Sequence, residues 1–210
     1  MSYVVKEVFF SLQGEGANTG RPAVFCRFAG CNLWSGREED RATAICSFCD
    51  TDFRGTDGEG GGGFSHAKEL STHILSFWPK ATEAPFVVFT GGEPALQLDV
   101  ELLSHMHDRG AILAVETNGT RPLPPGIDWV CVSPKAGAEL HVRTGHELKL
   151  VHPQVDLDPE PFAELAFDHF FLQPMFGPDY EVSLHACLDY CFAHPRWRLS
   201  LQTHRSLGLR

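Results

Sequence analysis

The 210-residue sequence has no uninterrupted apolar run long enough to make a membrane-spanning helix, so no membrane role is expected. Its opening stretch, MSYVVKEVFF, carries charges inside the apolar run and no small-residue cleavage site, so it does not read as a secretory signal. Positive charge is scarce. Lys and Arg number 17 against 27 Asp and Glu, a formal net charge of −10, so the chain offers no basic surface to capture a phosphate backbone and no nucleic-acid partner is expected. Cysteine is too sparse for a disulfide scaffold, and seven cannot all pair within one chain, which points to a reducing compartment and a cytoplasmic protein. The glycine run at 55–63, GTDGEGGGG, lacks GxxxxGK[ST] and so is no P-loop; it reads as a mobile loop. His105, His107, His141, His146 and His152 show no HExxH spacing and read as surface or strand residues.

Hydrophobic residues make up 43% of the chain, enough to bury one substantial core. Short apolar runs at 23–30, 86–90, 111–117, 128–133, 147–151, 169–173 and 197–203 read as strands. Three helical patterns, His66 to Trp78, Leu98 to Arg109 and Tyr180 to Ala193, separate several of them. The β-α-β order predicts a mostly parallel sheet. The chain is short for eight full β/α units, so the expected fold is α/β, a partial, abbreviated (β/α) barrel spanning 1–210 as one domain. Nearly every strand ends in polar or glycine-rich punctuation. In such sheets the ligand crevice opens at the carboxyl ends of the strands. That edge collects Thr90, Gly91, Gly92, Glu93, Glu116, Thr117, Asn118, Ser133, Lys135, Gln173 and His204.

Four cysteines read as packing. Cys187 and Cys191 share a helical stripe with Leu184, Leu188 and Phe192, while Cys26 and Cys131 sit inside apolar strand runs, where a free thiol behaves as a small hydrophobe. Cys31, Cys46 and Cys49 differ: they lie in loop-like sequence after a strand, spaced Cys-x14-Cys-x2-Cys. A structural zinc site needs a fourth ligand, for which Asp50 or His66 is available, whereas three thiolates on a cubane cluster leave one iron open. Spacing alone leaves both readings standing. The TGGEP segment at 90–94 brings two glycines, exposed carbonyls and Glu93 to the same mouth, groups able to accept hydrogen bonds from an ammonium.

Three clustered cysteines with Phe48 before the last, followed by GGE after the next strand, resemble the radical S-adenosylmethionine superfamily, whose usual spacing is Cys-x3-Cys-x2-Cys. The x14 interval is a departure, and it implies an extended cluster-binding loop over about 31–64. A narrower resemblance covers almost the whole chain: FFSLQGEG (9–16), PAVFCRFAGCNLW (22–34), CSFCDT (46–51), TGGEP, ETNG (116–119), SPK (133–135), LQP (172–174) and QTHRSLGLR (202–210) are similar to the 7-carboxy-7-deazaguanine synthase family.

The resemblance implies a radical ring contraction of 6-carboxy-5,6,7,8-tetrahydropterin with loss of ammonia, in queuosine biosynthesis. It implies a [4Fe-4S] cluster on Cys31, Cys46 and Cys49. S-adenosylmethionine is expected against Phe48, Asp50, Gly92, Glu116, Ser133, Lys135 and Gln173, and Mg²⁺ at Thr51, since a hard hydrated ion needs only one or two protein oxygens. The pterin falls to Leu12, Gln13, Gly14, Glu15, Arg27, Thr90, His204 and Arg210, where the arginine suits a bidentate grip on a carboxylate. A homodimer and an electron donor such as flavodoxin are the family expectation. A glycyl-radical-enzyme activase would share the cysteines and Gly92 but have no use for SLQGEG, and a zinc-stabilised binding protein would need neither cluster nor cofactor.

Overall fold

The computed structural model describes residues 2–79 and 83–210. Nine strands form one sheet: β1 Tyr3–Leu12, β2 Pro22–Phe28, β3 Gly62–Phe64, β4 Phe86–Gly91, β5 Ile112–Thr117, β6 Trp129–Val132, β7 Thr144–His152, β8 Ala166–Pro174 and β9 Trp197–Leu199. Their order is β3-β1-β2-β4-β5-β6-β7-β8-β9. From β2 to β9 neighbouring strands run parallel, while β1 is antiparallel to both β2 and β3. The sheet does not close, and with helices on its outer side it is an abbreviated (β/α) barrel of mostly parallel strands.

Strand alternation divides the residues between two faces. Val24, Cys26 and Phe28 of β2, Val87 and Phe89 of β4, and Leu113 and Val115 of β5 pack into one core with helices α1 Ala67–Leu75 and α2 Val100–His107. Leu148 and Leu150 of β7 and Phe170 and Leu172 of β8 enter a second core with Cys187 of α3 Tyr180–Ala193 and Trp197. Residues of the opposite phase turn inward, apolar low in the sheet (Phe25, Phe86, Val88, Ala114) and polar toward the strand carboxyl ends.

The helices follow from local chemistry. In α1 the buried positions Ala67, Leu70, Ser71 and Ile74 recur at i, i+3, i+4 and i+7. Asp99 caps α2 by accepting from Leu102 N at 2.9 Å, and it also accepts from the Tyr3 hydroxyl, fastening the helix to β1. In α3 the buried face is Ser183 and Cys187, and Phe192 is 80% exposed, so the stripe expected to carry Phe192 inward is rotated away from it.

One strand, β1, was not read from the sequence, and two expectations change. β1 is a ten-residue strand whose bulge between Val5 and Glu7 breaks its alternation. The glycine run is not loose: Val8 N donates to Glu59 O at 2.7 Å, Gly58 N to Lys6 O at 3.1 Å, and β3 pairs with β1. The final strand ends at Leu199, and a short helix, α4 Thr203–Leu207, follows, closed by Gly208 in the left-handed conformation that suits a helix C-terminus. No helix of the described residues is long and apolar enough to cross a membrane.

Candidate active site

The strand carboxyl ends, the inner face of β1 and the α4 segment enclose a cleft of about 400 Å³, a size suited to a small-molecule ligand. Nineteen of the residues expected at the site line it: Leu12, Gln13, Gly14, Glu15, Arg27, Cys49, Asp50, Thr51, Thr90, Gly91, Gly92, Glu116, Thr117, Asn118, Ser133, Lys135, Gln173, His204 and Arg210. Cys31, Cys46 and Phe48 do not form its wall. They belong to the segment between β2 and β3 that carries Cys49.

The three thiols nonetheless form one electrostatic group. The Cys46 thiol, within hydrogen-bonding reach of Cys49, draws the latter's pKa down to about 6, while Cys46 itself is pushed up. Burial raises Cys31, although its sulfur accepts from Leu33 N at 3.4 Å. A thiol that ionises near neutrality beside two others is a donor set suited to soft metal. Among the described residues no three His, Cys, Asp or Glu side chains group tightly enough to hold a single metal ion. The zinc alternative also loses its proposed fourth ligands: Asp50 pairs with Arg205 at 2.6 Å, and His66 precedes α1 and lines an outer groove between α1 and α2. Three soft thiolate donors on one loop suit an iron–sulfur cluster.

The TGGE turn is locked against this loop. Gly92 N donates to Phe28 O, and a Cβ on Gly92 would fall on the Gly30 carbonyl and 2.8 Å from the Cys31 Cβ, so only glycine fits. Glu93 was expected to present its carboxylate to a ligand ammonium. It is instead fully buried, its oxygens accepting from Ala95 N (2.9 Å), Thr117 Oγ1 (2.6 Å) and Asn118 N (2.7 Å). Its role is to pin the turn to the end of β5. Lys135, buried so that its pKa is drawn down, donates to Ser133 O and Oγ and faces Cys46, Cys49 and Glu93.

At the other end of the cleft, Gln13, Gly14 and Glu15 lie on the loop after β1. Gln13 Nε2 donates to Glu116 Oε1 at 3.0 Å, and Thr90 Oγ1 donates to Glu116 Oε2 at 3.2 Å. Thr203 N and Oγ1 both donate to Gly14 O at 3.0 Å, which seats the α4 segment and its His204 on this loop. Arg27 Nε pairs with Glu7 at 2.8 Å, both side chains less than one-fifth exposed. Arg210 reaches Glu59 at 2.9 Å while its backbone oxygen accepts from Ser11 Oγ.

Several lining residues escaped the sequence reading. Phe9 and Phe25, with ring centroids 5.2 Å apart and nearly parallel planes, give the cleft a flat aromatic wall. Lys149 ion-pairs with Glu15, while Gln173 and Gln202 donate to the same carboxylate at 3.0 and 2.9 Å. Lys6 pairs with Asp52 and Asp57 at 2.7 Å each. A charged pair at alternate positions of an otherwise buried strand, Glu147 and Lys149, was the available signal for an inward polar face.

No family model matches the chain. Relatives named 7-carboxy-7-deazaguanine synthase from Bordetella pertussis and Bradyrhizobium diazoefficiens are 61% and 58% identical over 100% of this chain and of their own lengths. One of the same name from Bacteroides thetaiotaomicron is 40% identical over 98% of each. The crystal structure of QueE from Escherichia coli superposes with a TM-score of 0.68 at 29% identity, covering 96% of this chain and 94% of that one. With the thiol group, the locked GGE turn and the polar cleft at the open sheet edge, these likenesses over the full length lead to one conclusion: the chain belongs to the 7-carboxy-7-deazaguanine synthase family, radical S-adenosylmethionine enzymes of queuosine biosynthesis.

Proposed function

We propose that this chain converts 6-carboxy-5,6,7,8-tetrahydropterin to 7-carboxy-7-deazaguanine with loss of ammonia, using one domain over 1–210. The observation that carries the reading is the convergence, on one cleft, of a three-thiol loop with a glycine turn at one end and Gln13, Glu15, Arg27 and an aromatic wall at the other. When bound, a [4Fe-4S] cluster and S-adenosylmethionine supply a 5′-deoxyadenosyl radical that abstracts hydrogen from the substrate; the protein supplies binding, orientation and electrostatics.

Cys31, Cys46 and Cys49 are assigned as the cluster ligands. Gly92, whose close packing leaves backbone rather than side chain at the cleft, and Glu116, Ser133, Lys135 and Gln173 are assigned to S-adenosylmethionine, with Phe48 and Asp50 flanking its adenine. Arg27 is assigned to the substrate carboxylate, and Leu12, Gln13, Gly14, Glu15, Thr90, His204 and Arg210 to the rest of the pterin. Thr51 beside Cys49 is assigned to Mg²⁺, which would sit with the substrate carboxylate. The remaining elements of the reading are a flavodoxin-like reductant, a homodimer and a cytoplasmic setting.

Replacing Arg27 with Lys tests the division of the cleft, because lysine keeps the charge but not the planar fork. The expected result is a KM for the pterin raised about tenfold or more with the KM for S-adenosylmethionine unchanged. An equal loss for both ligands would overturn the assignment of Arg27 to the substrate.

A further inference from the structure

The assignments above leave Lys149 unused, although it is the most enclosed cation bordering the cleft, with its side chain 6% exposed. It rises from β7 between two carboxylates, ion-paired with Glu15 on the loop after β1 and 3.7 Å from Glu116 Oε1 at the end of β5. Glu15 accepts from Lys149, Gln173 and Gln202. A carboxylate offers about four lone-pair sites, so about one remains for an N–H donor entering the cleft. The two glutamine amides are neutral and do not offset a buried negative charge; the Lys149 ammonium does.

Building on the function proposed above, we propose that Lys149 is a positioning residue for the substrate: held between Glu15 and Glu116, it keeps the Glu15 carboxylate charged and fixed so that its free acceptor site receives an N–H of the pterin. Burial by itself pushes the Glu15 carboxyl up and the Lys149 ammonium down, and their attraction reverses both, taking Glu15 to about 2 and Lys149 above its ordinary value. The other titratable groups facing this pair are His204 on α4, Glu116 on β5, Cys131 on β6, Lys135 after β6, and Glu147 on β7. Without Lys149, Glu15 is left as a buried carboxyl among amides, and desolvation governs its proton.

The test is calorimetric titration of 6-carboxypterin, a stable oxidised analogue of the substrate, into cluster-loaded protein with S-adenosylmethionine and Mg²⁺. The proposal predicts a flat wild-type affinity from about pH 5.5 to about pH 7.5, below the range in which the pterin ring itself ionises, and in Lys149→Met an affinity about tenfold weaker at about pH 6 that recovers as pH rises, because Glu15 then titrates in this range. A Lys149→Met affinity equal to wild type, or a loss that stays constant over that range, overturns it. If Lys149→Met does not fold, the Lys149→Met/Glu15→Gln protein, which removes both buried charges together, carries the test. It must bind within about threefold of Glu15→Gln alone with a flat pH profile, since Lys149 acts only through the Glu15 charge. A further large loss in the double variant refutes that route. Failure of the wild-type protein to bind the pterin is a separate outcome: it overturns the assignment of the cleft to a pterin and the role of Lys149 with it.

Discussion

Replacing Glu93 with alanine removes a carboxylate that is fully buried and accepts three hydrogen bonds, from Ala95 N, Thr117 Oγ1 and Asn118 N. Each hydrogen bond to a charged group contributes about 1.5–3 kcal/mol, so the gross loss is about 4.5–9 kcal/mol. Part is offset because the variant no longer buries a charge, and burial already raises the Glu93 pKa. The net destabilisation is therefore about 3–5 kcal/mol, the range for breaking a buried charged network. For a chain of this length that lowers Tm by about 6–20 °C, measurable by circular dichroism on the cluster-free protein. Glu93 also fixes the Gly92 backbone, so the same variant should bind S-adenosylmethionine about tenfold more weakly even at a temperature where it is folded. A Tm within about 2 °C of wild type would refute the reasoning, because it would mean that the three donors find other partners without cost.

Two further predictions concern the same turn and the charged pair at the opposite end. Gly92→Ala places a Cβ against the Gly30 carbonyl and the Cys31 Cβ; the overpacking should cost about 1–3 kcal/mol and reduce iron bound per chain after anaerobic reconstitution, checked by iron and sulfide analysis. Glu15 is held at about 2, below its ordinary 4.5. The unfolded chain therefore binds more protons in between, so the stabilisation is complete above about pH 4.5 and is lost as pH falls toward 2. Urea unfolding across that window should show a stability slope that Glu15→Gln diminishes; identical slopes would show that Glu15 is not held ionised.

Much of the fold was legible because the parallel strands are buried on both faces and so read as short apolar runs with polar ends. β4, β5 and β7 fell where the pattern placed them, and the cleft opens at their carboxyl ends. What escaped was structure fixed by distant contacts. β1 is antiparallel and bulged, so its alternation breaks between Val5 and Glu7, and the glycine run at 55–63 has composition typical of a mobile segment until β1 supplies its hydrogen-bond partners. α4 is only five residues long, with no apolar period to announce it apart from Gly208 at its end. At the site, motif residues were found but their partners were not. Glu93 appeared to be a ligand group because it follows two glycines, yet its three donors come from Ala95, Thr117 and Asn118, two of them more than twenty residues away. Lys149 looked like a strand residue because nothing local reveals that Glu15, 134 residues earlier, folds over it.

The central claim is that the three-thiol loop and the cleft beside it form one reaction centre. The most direct measurement is anaerobic turnover of reconstituted, reduced protein with S-adenosylmethionine, Mg²⁺ and 6-carboxy-5,6,7,8-tetrahydropterin, followed by mass spectrometry for 7-carboxy-7-deazaguanine, with Cys46→Ala in parallel. The account predicts deazapurine from the wild-type protein and none from the variant. An intact cluster that yields no deazapurine, or product formation that survives Cys46→Ala, would contradict it.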